Sequence, residues 1–154
     1  MYLFTSKVEY ALRAVVDLAS RPGNGAIQSR EIAARQGIPE SYLDQLLSAL
    51  RRAGLVRSIR GASGGYMLGK PAHLITVGDV IRAFDGAPLA ADPPVGRVPG
   101  APPPRGDRGT AAAVVGVRRR VQEAVRAVIE GTTIRDLLAE KQRLDETQSL
   151  MAGI

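Results

Sequence analysis

Residues able to read or grip a polyanion are concentrated in one stretch, residues 39–66, PESYLDQLLSALRRAGLVRSIRGASGGY. Leu43, Leu46, Leu47 and Leu50 fall at i, i+3, i+4 and i+7, which commits one face of a helix to a core. Ser41, Asp44, Gln45, Ser48, Arg51 and Arg52 occupy the other face. Serine and glutamine offer donors and acceptors to base edges, and arginine offers a fixed fork of donors to phosphates. Gly54 stops the helix in the C′ manner. Leu55 to Ile59 and Tyr66 to Leu68 read as short strands joined by Arg60-Gly61-Ala62-Ser63-Gly64-Gly65, whose glycines permit a tight, exposed tip. A helix with a polar face followed by a hairpin with an arginine at its tip is the winged-helix way of meeting both grooves of a duplex. Taken alone, the helix is equally readable as an ordinary surface helix with solvated arginines; the turn before it and the hairpin after it favour the winged helix.

Other chemistries find little support. Without cysteine, disulfides, thiolate catalysis, zinc fingers and cysteine-ligated iron–sulfur clusters are excluded. No Ser/His/Asp set, phosphate loop or paired-carboxylate motif is visible, so no catalytic residue is assigned and an enzyme is not expected. No apolar run approaches the roughly 20 residues of a membrane span, and the N-terminus has no signal-peptide core, so a cytoplasmic protein without a membrane partner is expected. The net charge of +6 suits a polyanionic partner. Residues 1–86 hold eleven Lys or Arg against seven acids and the remainder ten against eight, so the excess leans toward the half that carries the motif.

The elements that must position this stretch follow from periodicity. Ser6 and Glu9 suggest a capping box for a first helix with Val8, Ala11, Leu12, Val15, Leu18 and Ala19 as its stripe. Ser29 is a candidate N-cap for a helix over 30–36, with Gly37 as its C′ residue and Pro39 in the first turn of the next helix, the spacing of a helix-turn-helix. Thr76 caps a helix whose buried face is Val77, Val80, Ile81 and Phe84, and Gly86 closes it. Seven of the ten prolines fall in residues 87–110, which read as a flexible or polyproline-like loop. A long helix is expected over 111–130, with Val114, Val117, Val121, Val125 and Val128 as a seam for a symmetry mate and Arg118, Arg119 and Arg120 on a solvated face. Thr133 and Asp136 begin a last short helix, and residues 141–154 form a tail expected to fray from Asp145. With only six aromatic residues the core is aliphatic, and the fold class is mainly α with a small β-hairpin wing: a winged helix-turn-helix over 1–86 and a dimerisation helix with a short helix over 111–140.

Several blocks in order now carry a resemblance: residues 5–11 (TSKVEYA), 37–39 (GIP), 42–47 (YLDQLL), 53–56 (AGLV), 60–68 (RGASGGYML) and 75–81 (ITVGDVI). The chain resembles the Rrf2 family of bacterial dimeric winged-helix transcription regulators, closely over 2–86 and more loosely to about 139. The resemblance implies a helix entering the major groove, with Ser41, Asp44 and Gln45 closest to base edges, Ser48 on the same face, and Tyr42 giving a backbone contact or packing beneath. It implies Arg60, flanked by Gly61 and Ser63, in the minor groove, and phosphate contacts from Lys7, Gln28 and Ser29. The partners implied are double-stranded DNA with a pseudo-palindromic operator and a second copy of the chain, and the expected action is repression.

Cluster-binding members of the family carry three cysteines in the segment equivalent to 87–110, and this chain has none. Asp92 and Asp107 are hard ligands ill suited to an iron–sulfur cluster, and His73 reads as a surface residue, so no cofactor and no metal are expected. A protein or small-metabolite effector, or no effector, remains. The alternative function is a basic adaptor that uses the valine helix and the proline-rich loop to bind a protein instead of DNA.

Overall fold

The computed structural model describes residues 3–23, 25–85 and 106–153. In chain order these form α1 (Ser6–Ala19), α2 (Ser29–Gln36), α3 (Glu40–Arg52), β1 (Val56–Ile59), β2 (Gly65–Leu68), a 3-10 turn (Ala72–Leu74), α4 (Val77–Asp85), α5 (Arg108–Gly131) and α6 (Ile134–Ala152). The strands pair antiparallel with Val56 opposite Leu68 and Ile59 opposite Gly65. The winged helix-turn-helix expected from the apolar spacing is the fold observed.

One aliphatic core unites these elements. The α1 stripe from Val8 to Ala19 packs with Ile32 and Ala33 of α2, Leu43, Leu47 and Leu50 of α3, Val80 and Ile81 of α4, and Ile129 and Ile134 at the α5–α6 junction. The expected α3 leucines are all buried, as the i, i+3, i+4, i+7 pattern requires. Gly37 and Gly54 end α2 and α3 with φ of 65° and 77°, the left-handed conformation that glycine adopts without strain.

Four helix starts differ from the sequence expectation, two of them because a neighbouring side chain is the cap. Thr5, not Ser6, caps α1, its hydroxyl accepting from the Val8 N–H. Ser29 is the first residue of α2 and makes no capping bond; Gln28 precedes it in extended conformation. Pro39 is the N-cap of α3, one position before the first turn. Asp107 caps α5, its carboxylate accepting from the N–H groups of Gly109 and Thr110 and from the Thr110 hydroxyl, so the helix begins at Arg108. Residue 86 and most of the proline-rich segment, including Asp92, lie outside the described residues. The tail expected to fray is instead the second half of α6, which runs 19 residues from the Thr133–Asp136 capping box to Ala152.

Two polar clusters lock helices together. Asp17, 3% exposed, accepts from Arg35 through Nε at 2.9 Å and through the terminal nitrogen at 2.7 Å, and from Gln36 Nε2 at 2.9 Å, tying α1 to α2. At the other end, Arg82 of α4 pairs with Glu130 of α5 and with Asp79, whose carboxylate also accepts from the Thr76 N–H. A Cβ on Gly78 would meet the Glu130 carboxylate, which would have to shift to admit it. Main-chain bonds from Val77 N–H to the Thr132 carbonyl and from Ile134 N–H to the Ile75 carbonyl complete it.

Burial alone would raise the Asp17 carboxyl, but hydrogen bonds from Arg35 and Gln36 and the charges of Arg35 and Arg21 outweigh it and hold the group below its ordinary range. A depressed folded value means stability that is present above about pH 4, the unfolded aspartate value, and lost as pH falls through the folded one. Asp17→Asn is therefore expected to lower unfolding stability by about 1–3 kcal/mol near pH 7, with the gap from the parent closing below about pH 4 in thermal melts. Identical melting of parent and variant at neutral pH contradicts this role.

Candidate nucleic-acid interface

A hairpin of two four-residue strands does not hold its own position. Here it is tied to the body by Ile27, which exchanges main-chain bonds with Tyr66: Ile27 N–H to the Tyr66 carbonyl at 2.8 Å and Tyr66 N–H to the Ile27 carbonyl at 2.7 Å. The approach is so close that a Cβ at position 65 would collide with the Ile27 carbonyl, and Gly65 has φ of 151°. Gly64 is likewise confined, against the carbonyls of Ile59 and Gly61, whereas Gly61 (φ 113°) supplies the turn. The glycines serve both tip curvature and this main-chain contact, which the sequence pattern alone did not distinguish.

Because Ile27 lies two residues before α2, the tie sets the wing beside the N-terminus of that helix. Gln28, Ser29 and Arg30 line one shallow depression with Glu40 at the start of α3 and with Ile59, Gly61 and Gly64 of the wing. Arg60 and Ser63 stand exposed at the wing tip. A second depression joins Lys7 of α1, Tyr42, Gln45 and Arg52 of α3, and Ala83 and Phe84 of α4. Ser41, Asp44 and Gln45 are exposed on α3, and Ser48 is half-buried. The residues singled out from the sequence therefore fall into two groups along α3: Gln28, Ser29 and Gly61 by its N-terminal end, Lys7, Tyr42 and Gln45 farther along.

Tyr42 is half-buried, with its ring edge-on to Tyr10 at 5.9 Å, and the Arg13 guanidinium lies 5.4 Å from the centre of the Tyr10 ring. That stack fastens α3 to α1. Arg30, Glu40 and Ile59 went unnoticed in sequence reasoning; Arg30 and Glu40 sit at the first turns of α2 and α3, where the helix-turn-helix spacing alone could have pointed to them.

The α5 valines lie apart from this surface. Val114, Val117, Val121 and Val128 are 50–65% exposed, and Val125 is half-buried against the core. Upstream of Ile129, its one buried residue, α5 presents mostly exposed side chains over a helix of about 36 Å. Arg119 and Arg120 are exposed and Arg118 is partly covered. His73 is exposed in the 3-10 turn, as expected of a surface residue.

Comparison with known proteins converges on one family. The model of the Rrf2 family, described as iron-dependent transcriptional regulators, matches residues 4–140. The HTH-type transcriptional regulator CymR of Bacillus subtilis is 38% identical over 133 residues, 86% of this chain and 87% of that protein. The HTH-type transcriptional regulator IscR of Klebsiella pneumoniae is 52% identical over 81 residues, 53% of this chain and 50% of that protein. Among solved structures, B. subtilis CymR, the global cysteine regulator, superposes with a TM-score of 0.74 at 35% identity, covering 89% of this chain and 96% of that one. T. potens IscR gives 0.69 at 33% identity over 90% and 87%.

Iron, which the family description names, finds no fitting ligand set among the described residues. The chain has no cysteine, and among the described residues no three His, Asp or Glu cluster as a metal site. Asp107 spends both oxygens on capping α5. These residues do not fit a cysteine-ligated cluster. No described helix is long and apolar enough to cross a membrane. The shared character of the relatives sets aside both the enzyme and the protein-only adaptor, and from residue 4 to residue 140 this chain belongs to the Rrf2 family of DNA-binding transcriptional regulators.

Proposed function

We propose that the chain acts in the cytoplasm as a homodimeric repressor that occludes promoters at a pseudo-palindromic operator, without an iron–sulfur cluster. The observation that carries this reading is the exposure of the α3 polar stripe together with a wing tied beside the N-terminus of α2.

In this reading α3 enters the major groove, with Ser41, Asp44 and Gln45 at base edges and Ser48 at the margin. Asp44 and Glu40 are acceptors suited to a cytosine amino group, and Gln45 to adenine. Lys7 and the free N–H groups at Gln28 and Ser29 grip phosphates and set the register. Tyr42, fastened to Tyr10, holds α3 at its angle. Arg60, carried by the turn through Gly61 and Ser63, reaches the adjacent minor groove. A protein or small-metabolite effector takes the regulatory place of a cluster.

The same reading assigns the α5 seam to the second copy. Val114, Val117, Val121 and Val128 repeat at three-, four- and seven-residue steps and stay in water in the single chain, an apolar stripe that a symmetry mate would bury. Val125 belongs to the same face but leans on the chain's own core, so it marks where the seam meets the body.

Arg60→Ala is expected to weaken binding to a promoter fragment by about 1–3 kcal/mol in gel-shift titrations while leaving the melting temperature unchanged. Parent-like affinity refutes the wing contact. Val117→Glu combined with Val121→Glu is expected to sediment as a folded monomer and to bind DNA far more weakly, because two half-sites no longer share one effective concentration. An unchanged dimer in sedimentation contradicts the seam.

A further inference from the structure

A partly open cavity of about 480 Å³ lies between the C-terminal end of α1, the loop after it, the hairpin strands and the 3-10 turn. Leu18, Ile27, Tyr66 and Met67 give it an apolar wall. Three cations, Arg21, Arg57 and Lys70, also line it, and no carboxylate is among its described lining residues. Asp17 lies 4.0 Å from Arg21 Nε and spends its oxygens on Arg35 and Gln36. Arg21 Nε is buried and, among the described residues, has no hydrogen-bond partner. The Arg21 side chain is nevertheless 37% exposed at the cavity wall, and its planar guanidinium matches a carboxylate.

We propose that this cavity binds a small organic carboxylate with an apolar body, its head on Arg21 and its body against Leu18, Ile27, Tyr66 and Met67. The volume falls in the range of metabolite pockets, and the excess of positive over negative charge selects an anion. The apolar wall selects an organic acid over inorganic phosphate. Ile27 and Tyr66 line the cavity and also form the tie that holds the wing, so the ligand would sit at the hinge of the hairpin.

Binding is measured on the full chain without DNA, so its outcome is independent of the regulatory reading above. Octanoate and naphthaleneacetate are titrated calorimetrically beside octanamide, naphthaleneacetamide and inorganic phosphate. At least one carboxylate is expected to bind saturably, one per chain, and its amide at least about tenfold more weakly; inorganic phosphate is expected to show no saturable binding. Arg21→Gln is expected to weaken the carboxylate by at least about tenfold. Lys70→Gln, at an exposed position, serves as the second variant and is expected to weaken it measurably. Failure of both carboxylates to bind, amides or phosphate binding as well as the acids, or affinity unchanged in both variants overturns the assignment.

Discussion

Two hydrogen bonds between Ile27 and Tyr66 decide where the wing stands. A hairpin of four-residue strands has too few internal bonds and too little buried surface to fix its own orientation. The third segment supplies what is missing, and it does so from the residue that leads into α2. Wing and helix-turn-helix are thereby set in one frame, at the cost of allowing no side chain at Gly65. The cavity behind the hairpin follows from the same arrangement, since its walls include Ile27 and Tyr66.

The rest of the chain holds that frame rigid from two directions. The buried Asp17 carboxylate is compensated by Arg35 and Gln36, so that α2 is keyed to α1 by directional bonds as well as by Ile32 and Ala33. A buried charge with one partner removed is costly, which makes this key specific to a single arrangement of the two helices. On the far side, Arg82 and Asp79 of α4 close around Glu130, beside Gly78, where α5 meets the body. Any partner gripping α5 would therefore act on α3 and the wing through packed, hydrogen-bonded contacts instead of through a loose linker.

Much of this frame was legible in the residue pattern because it rests on local rules. Leucine spacing exposed the α3 core face, Gly37 and Gly54 marked helix ends, and Thr76, and Thr133 with Asp136, marked helix starts. What escaped depends on contacts distant in sequence or on balances too fine for pattern. The Ile27–Tyr66 tie joins residues far apart in the chain, and nothing local distinguishes Ile27 from any apolar residue. Asp17 lies on a helix whose stripe is otherwise aliphatic, and its partners come from the following helix. The far half of α6 lacks an apolar stripe buried in this chain; Leu144, Leu150 and Met151 are exposed, and Glu140–Arg143 and Lys141–Asp145 pairs run along its surface. Of the candidate interface, the types of residue were readable, but their separation into two groups along α3 came only from tertiary packing.

In the proposed function α3 and the wing meet one duplex together. The absence of cysteine lets a single iron-chelate cleavage reagent be attached at Gln45→Cys or at Ser63→Cys, with no competing thiol. On promoter DNA bound by each labelled protein, both reagents should cut within the same half-site, in the major groove from position 45 and in the adjoining minor groove from position 63, about half a helical turn apart. Cutting from only one of the two positions, or cuts from position 63 spread evenly along the fragment, would contradict the account.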